Sequence, residues 1–374
     1  MTVPVIVTVV GTRPEVIRLS RVIARLDEIS NHVVVHTGQN YDHQLNEVFF
    51  EELGIRQPDH FLHVDTSSLG AMLGDTLRKI EPILSEVKPD AFLVLGDTNS
   101  AIAALMAKRL NVPVYHMEAG NRSFDENVPE ETNRRMVDHI ADFNLAYTEH
   151  ARRNLLAEGL TARRILVTGS PMREVLDFYR EAIESSDVLS RLDLTPGKFF
   201  IVSAHRQENV DSPDRLANLL DSLSAVYAKW GLPVLVSTHP RTRQRIESLP
   251  GQRPLEGVTF LEPFGFLDYC KLQLNATCVI SDSGTVSEEA AILGFPAITI
   301  RDSLERPEAM DAGVIVMTGL KRENVIAGID EATTNYASPR GCPPEYEIAD
   351  TSRRVVRFML STMSRHHEWA AIRR

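Results

Sequence analysis

No stretch of this chain is apolar for long enough to cross a bilayer, which takes about 20 residues. The longest early apolar run, Val3–Val10, has no basic flank and no small-residue cleavage site. It passes directly into Gly11-Thr12-Arg13-Pro14, so it reads as a buried first strand. Cysteine is scarce: Cys270, Cys278 and Cys342 show no CxxC spacing, which suits a reducing compartment and leaves no cysteine set for zinc. HExxH is missing too, so no metal site is expected. No GxGxxG with a suitable acidic partner occurs, which argues against a nicotinamide-type fingerprint and gives no sign of a cofactor. Positive charge is in deficit, 40 Lys and Arg against 51 Asp and Glu for a net −11, the reverse of a general nucleic-acid binder. Internal repeats, heptads and low-complexity tracts are absent. The expectation is a soluble, cytoplasmic globular protein with neither membrane nor nucleic acid as partner.

What the chain does have is regular alternation. Its 374 residues, 43% hydrophobic, suggest two domains, each able to form its own core. Short apolar runs mark strands at Val5–Val10, His32–His36, Ala91–Leu95, Val112–His116, Phe143–Tyr147 and Ile165–Thr168. Five more follow at Phe199–Ser203, Val234–Ser237, Val258–Leu261, Cys278–Ser281 and Ala297–Ile300. Amphipathic stretches such as Pro14–Ser30, Thr98–Leu110, Glu131–Ile140 and Asp211–Trp230 lie between them. Buried strands alternating with helices indicate parallel sheets of βαβ units. Eleven strands overfill one doubly wound sheet, and Thr168-Gly169-Ser170-Pro171 divides them. The expected fold is α/β: two Rossmann-like domains, 1–169 and 170–352, with their sheets facing a central cleft. A helix at about 353–374 is expected to pack back on the first domain.

Several strand ends carry chemistry. Gly11-Thr12-Arg13-Pro14-Glu15, with Arg18 a turn later, reads equally as an anion-binding strand-to-helix turn or as helix capping with solvated arginines. Ser281-Asp282-Ser283-Gly284-Thr285 opens a helix with small residues that let backbone approach a diphosphate. Glu288 and Glu289 there read, taken singly, as first-turn dipole partners. Arg306 adds a cation at a later strand end. Asp97 and Glu118 fall at the carboxyl ends of neighbouring strands, and Glu130 joins them if the intervening loop folds over. Clustered carboxylates can divide acid and base roles. His205-Arg206 and His239-Pro240-Arg241 place His and Arg at two strand ends of the second domain, which favours an anionic ligand over a metal.

Taken in order, Gly11–Glu15, Thr37-Gly38-Gln39, Gly96-Asp97, His116-Met117-Glu118-Ala119-Gly120, Pro129-Glu130-Glu131, His205-Arg206, Ser281–Gly284 and Glu305-Arg306-Pro307-Glu308 resemble the bacterial non-hydrolysing UDP-N-acetylglucosamine 2-epimerases. The resemblance covers nearly the whole chain. It implies a GT-B-like pair of Rossmann domains, a homodimer, a UDP-linked amino sugar as partner, and no nicotinamide or required metal. The implied reaction interconverts UDP-GlcNAc and UDP-ManNAc by anti elimination of UDP through 2-acetamidoglucal, then re-addition. Asp97, Glu118 and Glu130 would handle the C2 proton and sugar hydroxyls, and His205 would assist UDP departure. Arg13, Arg18, Ser283, Gly284, Thr285 and Arg306 would hold phosphates, and Glu289 the ribose. Gln39, Arg206 and His239 match a site for a second, activating UDP-GlcNAc.

Three stretches depart from the family pattern. Thr285 and Ser287 stand where Gly and Gln are usual, Asn121 replaces Leu, and Asp42 replaces Gln or Met in the activator stretch. No arginine lies between Phe61 and Leu77. Leu19-Ser20-Arg21, Ala119-Gly120-Asn121-Arg122 and Ser283-Gly284-Thr285 resemble a subgroup that makes UDP-N-acetyl-L-fucosamine from UDP-2-acetamido-2,6-dideoxy-L-talose. A GT-B glycosyltransferase, a hydrolysing epimerase and a nucleotide-sugar sensor are the remaining alternatives.

Overall fold

The computed structural model describes residues 3–39, 50, 52–204, 206–210, 212–238, 245–246, 255–334 and 341–372. The chain forms two compact units, Met1–Asp177 with Glu345–Arg374, and Phe178–Pro344.

In the first unit seven strands run parallel: β1 Val5–Val10, β2 Asn31–His36, β3 His60–Phe61, β4 Ala91–Leu95, β5 Val114–Met117, β6 Phe143–Ala146 and β7 Ile165–Val167. Their order is β3-β2-β1-β4-β5-β6-β7, so the winding reverses between β1 and β4. The second unit repeats the plan with β8 Phe200–Ser203, β9 Val234–Ser237, β10 Val258–Leu261, β11 Cys278–Ser281, β12 Ala297–Thr299 and β13 Val316–Met317. Its order, β10-β9-β8-β11-β12-β13, reverses between β8 and β11. Both are Rossmann-type sheets with helices as the crossovers. The strands are apolar along their length because helices cover both faces: all five residues of β4 are buried. Val7, Val9, Phe92, Val94 and Val114 pack with Ile80, Leu84, Ala104 and Ala107 in the first unit. In the second, Phe200, Val202, Val234, Val236 and Ile280 meet Leu216, Leu219, Leu223 and Val226 of the helix Pro213–Trp230.

The structure adds two strands to the eleven read from sequence. β3 and β13 are two residues each, too short to carry a pattern. The first unit also runs past 169 to Asp177 and resumes at Glu345 rather than 353. Local bonding explains both shifts. Glu174 accepts from the backbone N–H and Oγ of Ser352 at 2.7 and 2.5 Å. Gly169, at φ +82°, lets Ile348 sit where a Cβ would meet its side chain at 2.7 Å. The helix Thr351–Thr362 then packs on the sheet, with Phe358 edge-on to Phe143 at 5.5 Å and Thr362 Oγ1 2.7 Å from the Tyr115 hydroxyl. Among the described residues no helix is long and apolar enough to cross a membrane.

Candidate functional site

In the first unit the loops after β1, β2 and β4 converge. Gly11 has no room for a side chain, because a Cβ would lie 2.5 Å from Thr37 Oγ1 and 2.8 Å from both Gln39 Nε2 and Ser100 Cβ. Thr12 caps the helix Arg13–Ile29, whose Pro14 suits a first turn. Arg13 is half-buried at its start. Arg18 is buried one turn on, and its Nη1 donates to Oε2 of Glu118.

Glu118 follows β5 in a left-handed backbone conformation, φ +65°, which costs a non-glycine residue about 1–2 kcal/mol. Such strain tends to be kept where a side chain must be aimed. Asn121 Nδ2 approaches its other carboxyl oxygen at 3.4 Å. Gly120, at φ +86°, is fixed by close packing, since a Cβ would lie 2.3 Å from the carbonyl oxygen of Ala151.

Asp97 follows β4. Its Oδ2 accepts from Arg134 Nε and Nη2 at 2.9 and 2.5 Å, and its carbonyl accepts from Asn133 Nδ2 at 2.9 Å. Both partners come from the helix Pro129–Ile140, whose first turn holds Glu130, half-buried, and Glu131, buried. Beneath the strand ends, His116 Nε2 donates to the carbonyl of Gly96 at 2.7 Å while Nδ1 lies 2.8 Å from Asp138. Asp138 is paired with Arg122 at 2.7 Å, and Arg122 reaches Glu158 at 2.6 Å. This chain, buried at His116, Asp138 and Arg122, holds Gly96, next to Asp97, and the Gly120 turn, next to Glu118.

In the second unit the turn after β11 is tied by its own hydroxyls. Ser283 N donates to Ser281 Oγ at 3.0 Å, and Ser283 Oγ lies 2.9 Å from Thr285 Oγ1. Asp282 accepts from Arg206 N and Asn209 Nδ2, each at 3.0 Å, linking the β11 turn to the β8 turn. Arg306 Nη1 donates to the carbonyl of Gly284. A Cβ on Gly284 would lie 2.6 Å from that nitrogen. Arg206 pairs with Glu305 at 3.2 Å, and Glu289 accepts from Gln273 Nε2 at 2.6 Å. Burial, and secondarily the charge of Glu289, hold the Tyr269 hydroxyl above the ordinary tyrosine range.

Sequence reading singled out neither Arg134, Asn133, His116, Gln273 nor Glu15 as functional. Arg134 carries a usable signal, since it stands one turn beyond Glu130 and Glu131 on one helix. Of the expected residues, His205 and His239 lie outside those described, as does Asp42. Gln39 donates to Thr98 Oγ1 at 3.3 Å. A 510 Å³ pocket lined by residues including His63, Asp75, Arg78 and Lys79 contains none of the expected site residues. Among the described residues no group of three or more His, Cys, Asp or Glu could hold a metal ion.

The sequence profile of a family described as UDP-N-acetylglucosamine 2-epimerase matches residues 24–360. The structure resembles that of a UDP-N-acetylglucosamine 2-epimerase from Rickettsia bellii with a TM-score of 0.91, at 44% identity over 98% of each chain. It also resembles a Methanocaldococcus jannaschii UDP-GlcNAc 2-epimerase in complex with UDP-GlcNAc and UDP, TM-score 0.89, 33% identity, covering 96% of this chain and 99% of that one. A Pseudomonas aeruginosa UDP-2,3-diacetamido-2,3-dideoxy-D-glucuronate 2-epimerase is 37% identical over 326 residues, 86% of this chain and 90% of that protein.

Proposed function

The chain belongs to the UDP-N-acetylglucosamine 2-epimerase family, and from that premise we propose that it interconverts UDP-GlcNAc and UDP-ManNAc. The observation that carries this reading is the pairing of two carboxylates with two buried arginines at adjacent strand ends. Asp97 after β4 is gripped by Arg134, and Glu118 after β5 by Arg18. A sugar's C2 hydrogen becomes acidic only as the anomeric bond breaks, so the leaving UDP needs stabilisation as much as the proton needs a base. The Ser283–Thr285 turn, with Arg306 on its carbonyl and the N-terminus of the helix Val286–Leu293 behind it, supplies that stabilisation. Asp97, Glu118 and Glu130 remove and return the C2 proton on the sugar's two faces and bind its hydroxyls. His205 assists the diphosphate, Arg13 neutralises it, and Glu289 takes the ribose hydroxyls. The reaction is anti elimination of UDP to 2-acetamidoglucal and re-addition with C2 inverted, by a homodimer in the cytoplasm.

A second sugar is favoured by Leu19-Ser20-Arg21, Asn121 and Thr285. UDP-2-acetamido-2,6-dideoxy-L-talose lacks the 6-hydroxyl, and a site built to bond that hydroxyl would reject it sharply. One experiment decides between the two sugars. Each is incubated with the protein in D₂O while C2 is followed by NMR. Deuterium at C2 with the UDP linkage intact supports epimerisation and names the sugar, whereas free ManNAc indicates the hydrolysing reaction. No exchange with either sugar sinks the reading.

A further inference from the structure

The ends of β1 and β4 stand side by side where the strand order of the first sheet reverses, and a doubly wound sheet leaves a crevice there that commonly receives a ligand. In this chain the crevice receives a side chain of its own, Glu15, which is 1% exposed. Its Oε2 accepts from the backbone N–H of Gly11 at 2.5 Å, from that of Thr12 at 3.3 Å and from Ser100 Oγ at 3.2 Å. Its Oε1 accepts from Ser100 Oγ at 3.0 Å and from Thr98 Oγ1. The N–H groups of the strand-to-helix turn, which would otherwise suit a phosphate, are thus satisfied by an internal acceptor.

The geometry bears directly on Asp97. Residues 97–100 are gripped on one side by Arg134 and Asn133, which hold the carboxylate of Asp97, its carbonyl and the side chain of Asn99. Glu15 grips the same four residues through Thr98 and Ser100. Burial pushes the Glu15 carboxyl up to about 7 against the lowering effect of its hydrogen bonds, led by Thr98. A group that costly to bury is retained where its hydrogen bonds specify a conformation.

We propose that Glu15 is a positioning residue, locking the β1 and β4 turns together so that Asp97 is presented to the substrate. This rests on the functional reading above. The test uses the full chain with Glu15→Ala and Glu15→Gln. Three quantities are read: kcat and KM for C2 exchange, the Kd for UDP, and amide hydrogen exchange of residues 10–13 and 96–101. In Glu15→Ala, kcat falls about 10²-fold, the cost of a misplaced catalytic group. KM and the UDP Kd stay within about threefold of wild type, and exchange accelerates in those two segments alone. Glu15→Gln, which keeps an acceptor for the Gly11 and Thr12 amides, recovers at least about tenfold of the lost kcat. Unchanged kcat and unchanged exchange in Glu15→Ala overturn the proposal, as does exchange accelerated throughout the fold with no rescue by glutamine. If the alanine variant fails to fold, the double variant Thr98→Val, Ser100→Ala decides, since it removes the Glu15 contacts to the β4 turn: wild-type kcat and wild-type exchange of residues 96–101 in it overturn the proposal. If wild-type protein exchanges C2 of neither sugar, the functional reading fails, and the amide exchange alone still decides whether Glu15 locks the two turns.

Discussion

Arg18 and Glu118, a hundred residues apart, form a buried ion pair, and Glu118 holds its half from a left-handed backbone. A side chain that family resemblance assigns to phosphate therefore orients the carboxylate assigned to proton transfer. Arg18→Met should leave that carboxylate buried without its guanidinium and lower stability by about 3–5 kcal/mol. Arg18→Lys, which keeps the charge but loses the fork, should lose less. Guanidinium unfolding midpoints read both, and a methionine variant as stable as wild type would show the pair to be dispensable.

Asp97→Asn keeps an oxygen for Arg134 and removes the charge. Turnover should fall about 10²–10⁴-fold, the usual worth of a positioned acid–base group. The circular dichroism spectrum and UDP affinity should stay at wild-type values. A variant retaining most of its kcat would remove Asp97 from the mechanism.

Gly284 shows no left-handed backbone, so alanine is conformationally allowed there, but its Cβ would displace the Arg306 guanidinium, 2.6 Å away. Gly284→Ala should bind UDP about tenfold more weakly, or about 1.4 kcal/mol, with little change in Tm. Calorimetric titration with UDP checks this. Undiminished affinity would mean that Arg306 is not held for the diphosphate.

Glu15 gives stability a pH dependence of definite sign. Its carboxyl is raised from 4.5 to about 7 in the folded state, so folding favours the protonated form. The stabilisation is fully present below 4.5 and is lost as pH rises through about 7, on the order of 3 kcal/mol. The unfolding free energy of wild type minus that of Glu15→Gln should fall over that interval. A difference independent of pH would place the titration elsewhere.

The parts of this molecule that were legible in its sequence are those that depend on neighbours along the chain. β4 reads as a buried parallel strand because all its side chains are apolar. Asp97 and Glu118 stand out because a carboxylate directly after such a strand is conspicuous. Glu15 does not, since an acid at the third helical position looks like ordinary capping. Its identity comes from Thr98 and Ser100, 83 and 85 residues away. The same holds for the partner of Arg18, a phosphate ligand or a solvated helix arginine on a sequence view, until β5 delivers Glu118 to it. The contact between Glu174 and Ser352, 178 residues apart, is likewise invisible along the chain.

The discontinuity of the first unit has a consequence for the order of biosynthesis. The helix Thr351–Thr362, which covers Tyr115 and Phe143, leaves the ribosome only after residues 178–344 have been made. At 5–20 residues per second that interval lasts roughly ten to thirty seconds. Throughout it Tyr115 and Phe143 of the nascent amino-terminal sheet lack the ring of Phe358 that packs on them in the finished fold.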